Sequence, residues 1–122
     1  MKANANVIQF GALDEVILRV HPPVIRSRKA KTGNGEMEAG TLIAYDAGGK
    51  IVPYMPGAAP EGAPIGVLVR NCDTDDVEDI ARYIVHGTVR YSKLQVDGHA
   101  PTESDILLLE ELGVWSMRDP MN

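Results

Sequence analysis

The sequence has a single cysteine in its 122 residues, Cys72, so no disulfide can close within the chain and no set of thiolates can hold zinc. No apolar run approaches the roughly 20 residues that cross a bilayer. The opening stretch, MKANANVIQF, lacks the long apolar core of a secretory signal, so the chain is expected to stay in the cytoplasm where it is made. The glycines at 48, 49, 57, 62 and 66 fit neither a GxGxxG nor a P-loop pattern, which removes the usual sequence support for nucleotide binding. What remains is a chain with 44% apolar residues, enough to bury one core and short enough to form one folding unit.

The net charge of -5 is unevenly spread. Residues 1–39 carry six basic and four acidic side chains, a net of +2, whereas residues 40–122 carry six basic and thirteen acidic ones, a net of -7. Composition changes at the same point, so the chain divides into an N-terminal arm and tether (1–39) and an acidic body (40–122). Arg26, Arg28, Lys29 and Lys31 fall within six residues but have no aromatic neighbours on which bases would stack. An acidic body would also repel a phosphate backbone, so nucleic acid is not an expected partner.

The arm holds two short β-prone runs, Val7, Ile8 and Phe10, then Val16, Ile17, Leu18 and Val20, split by Gly11 and stopped by Pro22 and Pro23. Ser27 to Gly40 is polar and contains glycine, which reads as a flexible tether. Each of the seven large apolar residues would contribute about 1.5–3 kcal/mol if fully buried, so the arm is expected to pack against something. Two surfaces qualify: the body of the same subunit, or another protein chain to which an exposed strand adds by backbone pairing.

In the body, Thr41–Tyr45 and Lys50–Tyr54 flank Asp46-Ala47-Gly48-Gly49, which predicts a tight β-hairpin. Residues 53–64 contain four prolines and two glycines and predict an ordered surface loop. Ile65 to Val69 is wholly apolar apart from Gly66, as in a central strand with a close neighbour. Alternation along Ala81, Tyr83, Val85, Gly87, Val89 and Tyr91 predicts a long strand with one core face and one wetter face. In TESDILLLEELG, Thr102 with Asp105 approximates a capping box and Gly113 a C-terminal stop, with Ile106, Leu109 and Leu112 sharing a helical face at spacings of three. Val114, Trp115 and Met117 suit a final strand.

No catalytic constellation emerges. His86 lacks a nucleophile motif beside it, and Cys72 stands 14 positions away with no spacing that dictates proximity. Asp73, Asp75, Asp76, Glu78 and Asp79 invite a hard cation. Counted from Asp73, however, the sixth and twelfth positions of an EF-hand loop are Glu78 and Ile84, not glycine and glutamate. No metal or other cofactor is therefore expected.

The order of the body segments carries a resemblance. A G-T-L-hydrophobic-D strand at 40–46, a G-G-K-hydrophobic-V-P strand at 48–53, P-I-G-V-L at 64–68, H-G-T-V-R-Y at 86–91 and a late helix ending in E-L-G resemble the head decoration proteins of tailed bacteriophages, the lambda-type capsid cements. The resemblance spans about residues 40–117. It implies a mainly β fold, a β-clip-like body with a short C-terminal helix and an extended N-terminal arm. It also implies a non-enzymatic homotrimer on the outer surface of the expanded capsid, at three-fold and quasi-three-fold positions, with the major capsid protein as partner and no membrane. On that reading Val7, Ile8, Phe10, Val16, Ile17 and Leu18 pair with the capsid, while Pro53, Tyr54, Pro56 and Trp115 are candidates for subunit contact. The long arm with its own β-prone runs and the C-terminal position of Trp115 depart from the family pattern. Two readings from other classes stand beside it. A trimeric fibre or adhesin would share the β content, and a β-clip nucleotide hydrolase would need a phosphate-binding Ser/Arg motif that the sequence does not offer.

Overall fold

The computed structural model describes residues 16–18, 22–75 and 79–118. Among the described residues the fold is mainly β, with an α-helix near the C-terminal end. Among the described residues the strands are β1 (Ile17–Leu18), β2 (Val24–Lys29), β3 (Glu36–Met37), β4 (Leu42–Tyr45) and β5 (Ile51–Pro53). They continue with β6 (Gly66–Leu68), β7 (Cys72–Asp73), β8 (Ile80–Arg90) and β9 (Val114–Met117), and the helix α1 spans Glu103–Leu112.

The sheet is organised by β8, whose 11 residues are the longest strand. Its first half lies between β2 and β6, both antiparallel to it; its second half lies between β1, antiparallel, and β9, parallel. From β6 the sheet continues to β4 and then β5. A parallel bridge from Ala30 to Ile51, with the Lys31 N–H donating to the Ile51 carbonyl at 2.9 Å, joins the end of β2 to β5. The ring β2-β8-β6-β4-β5 thus closes on itself, which removes the open edges that a flat sheet would expose.

Strands β4, β5 and β6 of this sheet are buried on both faces. Leu42 and Ala44 of β4, Val52 of β5 and Ile84 of β8 join a cluster with Leu109 and Val114. Their strand neighbours Ile43, Ile51, Ala81 and Tyr83 point the other way, into a second cluster with Ala30, Met37, Leu68 and Cys72. The alternation predicted along β8 holds for Ala81 and Tyr83, but the opposite face is not wet there, because Ile84 is fully buried as well. Gly87, at φ +136°, interrupts the alternation, and Thr88 and Val89 beyond it are both buried. A Cβ at Gly87 would stand 2.9 Å from Ile84 Cδ1 and 3.3 Å from Pro23 Cα, so the strand changes partners at its one residue without a side chain.

Several local expectations hold. The β4–β5 hairpin turns at 46–49, where Asp46 Oδ1 accepts from the N–H groups of Gly48 and Lys50 at 2.8 and 2.9 Å and only Gly49 takes positive φ. These bonds hold the half-buried Asp46 carboxyl below its ordinary pKa. Gly66 lets β6 sit between β4 and β8, since a Cβ there would lie 2.4 Å from the Ile84 carbonyl oxygen. The capping box of α1 forms in full: the Asp105 N–H donates to Thr102 Oγ1, the Thr102 N–H donates to Asp105 Oδ2, and Gly113 ends the helix in the left-handed conformation.

The boundary drawn at Gly40 does not hold. Residues read as a tether form β2, which pairs with β8 from Val24 to Lys29, and β3, which pairs with β7; Ala30 and Met37 are buried. The segment looked unanchored because almost all of β2 is exposed, so its sequence lacks apolar alternation. Backbone pairing to an already buried strand holds it instead.

Candidate interaction surfaces

The residues expected to face a capsid divide into two groups. Val7, Ile8 and Phe10 lie outside the described residues. Val16 and Ile17 are buried in the chain's own core, 1% and 2% exposed, and the half-buried Leu18 pairs with Thr88 as Ile17 pairs with Val89. For this second run the structure selects the same-subunit surface over a partner chain. The physical reason is that β8 leaves an edge free beside Thr88 and Val89, and an apolar pair completes the core there.

The four residues expected to form a subunit contact are not one patch. Tyr54 is buried, and its hydroxyl donates to Asp105 Oδ1 at 2.7 Å, so it serves the interior of this chain. Burial, reinforced by the Asp105 carboxylate, pushes the Tyr54 hydroxyl up to about 12, while the bonds from Tyr54 and Thr102 outweigh burial to hold Asp105 below its ordinary value. Pro53 is half-buried and Pro56 exposed; both line a cleft of about 360 Å³ with Met55 and Asp97. Trp115 is 39% exposed and sits edge-on to His86, with ring centroids 5.4 Å apart. Tyr54 contacts the first turn of α1 and Trp115 follows its last, and a ten-residue helix spans about 15 Å. The proline loop and the tryptophan therefore belong to opposite ends of the helix.

A different surface was missed in the sequence. Leu107, Leu108 and Leu112 of α1 are 53%, 36% and 42% exposed, while Leu109 is fully buried, Asp105 is buried and Ile106 is half-buried. The spacing of three puts Leu112 on a helical face with Ile106 and Leu109, yet only Leu109 of these is fully buried. The inner side is instead occupied by Asp105, because its carboxylate reaches both Tyr54 and the helix N-terminus. The signal was present: three successive leucines turn through about 200° of a helix, so one face cannot hold them all.

The basic run maps onto β2. Arg28 stacks on the Tyr45 ring at 5.0 Å and donates to the Gly49 carbonyl at 3.3 Å, and Lys31 lies 3.9 Å from Asp46. Two of the four cations are thus held against the chain's own hairpin, while Arg26 and Lys29 project from an exposed strand. Arg118 stacks on Tyr91 at 4.4 Å beside a cleft of about 400 Å³ that also includes Thr102, Glu103, Glu110 and Ser116.

Cys72 packs with Tyr83 in the second cluster, and burial, aided by Asp79 and Asp73, pushes its thiol up to about 11, far from the thiolate a nucleophile needs. In the acidic loop, Asp73 and Asp79 bond the N–H groups of Asp75 and Ile80; Asp76 and Glu78 lie outside the described residues. Among the described residues no group of three or more His, Cys, Asp or Glu side chains is placed to hold a metal ion, and no helix is long and apolar enough to cross a membrane. No model of a known protein family matches the chain, and no curated protein matches it as a relative.

Proposed function

We propose that this chain is a capsid cement of a tailed bacteriophage, a structural virion protein that binds the outside of the expanded shell as a homotrimer and holds it against internal DNA pressure. The observation that supports this reading most is the spatial arrangement of the segments that carry the resemblance. Hairpin β4–β5 and the PIGVL strand β6 are consecutive neighbours in one sheet and adjoin the first half of β8, while the HGTVRY half of the same strand pairs with β9, into which the ELG helix end leads directly. Segments that match in order along the chain and also adjoin in space form one structural unit, as a shared β-clip-like body requires.

The mechanism is multivalent. Three leaders from one trimer engage adjacent capsomers, so the second and third contacts are intramolecular and raise avidity by roughly 10² to 10⁴. If the receiving surface exists only in the expanded lattice, binding stabilises that lattice by mass action. With Val16 and Ile17 committed to the core, Val7, Ile8 and Phe10 are the residues of the leader assigned to the capsid.

The test is co-sedimentation with expanded, undecorated tailed-phage capsids, using the full chain and a variant lacking residues 2–12. That deletion spares the buried Val16 and Ile17, which a cut at residue 20 would remove. The full chain is expected to pellet with capsids and the truncated one to remain in the supernatant with an unchanged circular dichroism spectrum. A full chain that never pellets with expanded capsids refutes the cement reading, and a truncated chain that pellets equally well removes the leader from it.

A further inference from the structure

Strand β9 is paired on one side. The Gly87 N–H donates to the Gly113 carbonyl at 2.9 Å, which sets the phase of the parallel ladder: Gly113, Trp115 and Met117 turn their backbone groups toward β8, and Val114 and Ser116 turn theirs away. Among the described residues no other strand takes up that second edge. The two faces of β9 also differ. Val114 is buried on the side that α1 covers, in one cluster with Leu109, whereas Trp115 and Met117 point to the other side and are 39% and 49% exposed.

A cleft of about 400 Å³ meets this strand at Ser116. Its opposite wall is a flank of α1 on which Glu103, Ile106 and Glu110 recur at spacings of three and four. Arg118, the residue that follows β9, also lines the cleft, with its guanidinium stacked on Tyr91 at 4.4 Å. An unpaired strand edge beside a helix flank is the arrangement in which an extended peptide adds to a sheet, held by its backbone and selected by its alternate side chains.

We infer that the free edge of β9 takes up an extended segment of a partner protein in which basic residues alternate with apolar ones. Backbone groups of that segment bond Val114 and Ser116. Its basic side chains fall on the helix side, with their stems over Ile106 and their charges at Glu103 and Glu110, and its apolar side chains fall on the other side, beside Trp115 and Met117. Charge complementarity identifies the occupant. A second copy of β9 fits less well, because a two-fold axis through an antiparallel seam leaves both helices on one side of the joined sheet and sets Glu103 and Glu110 against the same carboxylates of the mate. The edge is separate from the leader to which capsid binding is assigned, so the two sites can fail independently.

Fluorescence anisotropy of a labelled, end-blocked peptide of alternating valine and lysine, titrated with the full chain, tests this site. Saturable binding is expected, and full N-methylation of the peptide, which removes its amide donors and keeps its charge, should weaken it at least about tenfold. Glu103→Gln with Glu110→Gln should also weaken it at least about tenfold, and the peptide with glutamate in place of lysine should not bind. Ser116→Pro should abolish binding with an unchanged circular dichroism spectrum, because the Ser116 N–H points away from β8 and proline there removes no bond of the ladder. If that variant does not fold, the N-methylated peptide decides the matter on the native chain. Absence of saturable binding, equal binding of the glutamate peptide, or binding that N-methylation leaves intact overturns the inference. So does a dimer in sedimentation equilibrium that Ser116→Pro dissolves while the lysine peptide fails to bind, since the edge would then belong to a second copy. Peptide binding by a chain that ignores expanded capsids would sink the cement reading and leave this site standing, and the converse result would do the reverse.

Discussion

Replacing Tyr54 by phenylalanine deletes one oxygen from the interior and leaves a carboxylate short of a donor. In the native chain the Tyr54 hydroxyl donates to Asp105 Oδ1 at 2.7 Å, with Tyr54 4% and Asp105 3% exposed. A hydrogen bond to a charged acceptor contributes about 1.5–3 kcal/mol, and water cannot readily replace it at such low exposure. Tyr54→Phe is therefore expected to lower unfolding stability by about 1.5–3 kcal/mol at pH 7, read from urea titrations. The pH dependence identifies the cause. Asp105 has a folded pKa below its ordinary 3.8, so its bonds contribute stability that is present above that value and is lost as pH falls through the folded pKa. The gap between native and variant should narrow as Asp105 becomes protonated in acid. At the other extreme, Tyr54 titrates near 12 in the folded chain against 10.0 ordinarily, so its contribution is complete below pH 10 and declines as pH rises toward 12; the phenylalanine variant lacks that decline. A loss that is the same at pH 7 and in acid, or a loss below about 0.5 kcal/mol, would refute the assignment of Asp105 as a charged acceptor fixed by this hydroxyl.

Gly66→Ala should destabilise the body by about 2–4 kcal/mol in the same titrations, because the added Cβ meets the Ile84 carbonyl oxygen at 2.4 Å inside the sheet; a loss under about 1 kcal/mol would mean β6 lies farther from β8. Leu109→Ala should cost about 2–5 kcal/mol and Leu107→Ala under about 1 kcal/mol, since only the first is buried; equal losses would contradict the orientation of α1. Cys72 should resist a thiol-specific disulfide reagent at pH 8 in the native chain and react fully in guanidinium, with its thiol raised to about 11 by burial; fast native labelling would place it at the surface. In amide exchange, Ile17 and Leu18 should lose protection well before the centre of β8, and equal protection would show β1 to be as firmly held as the core.

Local features of this fold were legible because their causes are local. The hairpin turn is made by Asp46 and Gly49, the helix start by Thr102 with Asp105, and the helix stop by Gly113, each within a few residues of the others. Gly66 announced a close neighbour without naming Ile84. What escaped the sequence depends on long-range pairing. Strand β2 carries VIRSRK, whose burial pattern is almost entirely exposed, and only its ladder to β8 makes it structural. Nothing near Tyr54 in the sequence marks it as an interior residue, because its partner, Asp105, is 51 positions away. The β8 alternation failed beyond Gly87 because the strand changes neighbours there, which no period along one strand encodes.

The placement of β1 bears on how a leader can serve both the body and a partner. Burial of Val16 and Ile17 contributes about 3–6 kcal/mol together, at about 1.5–3 kcal/mol each. Fixing the backbone of residues 16–18 costs about 1–2 kcal/mol per residue, again about 3–6 kcal/mol. The two terms nearly cancel, so β1 is held chiefly by its short register with Thr88 and Val89. A strand so balanced anchors the leader at a defined point on β8 without committing much free energy. β1 lies beside Thr88 and Val89, on the opposite side of β8 from Trp115 and β9. The fold separates strands β4, β5 and β6, buried on both faces, from a lightly held entry strand, and under the cement function proposed above that division would combine a firm body with a low cost in redirecting the leader.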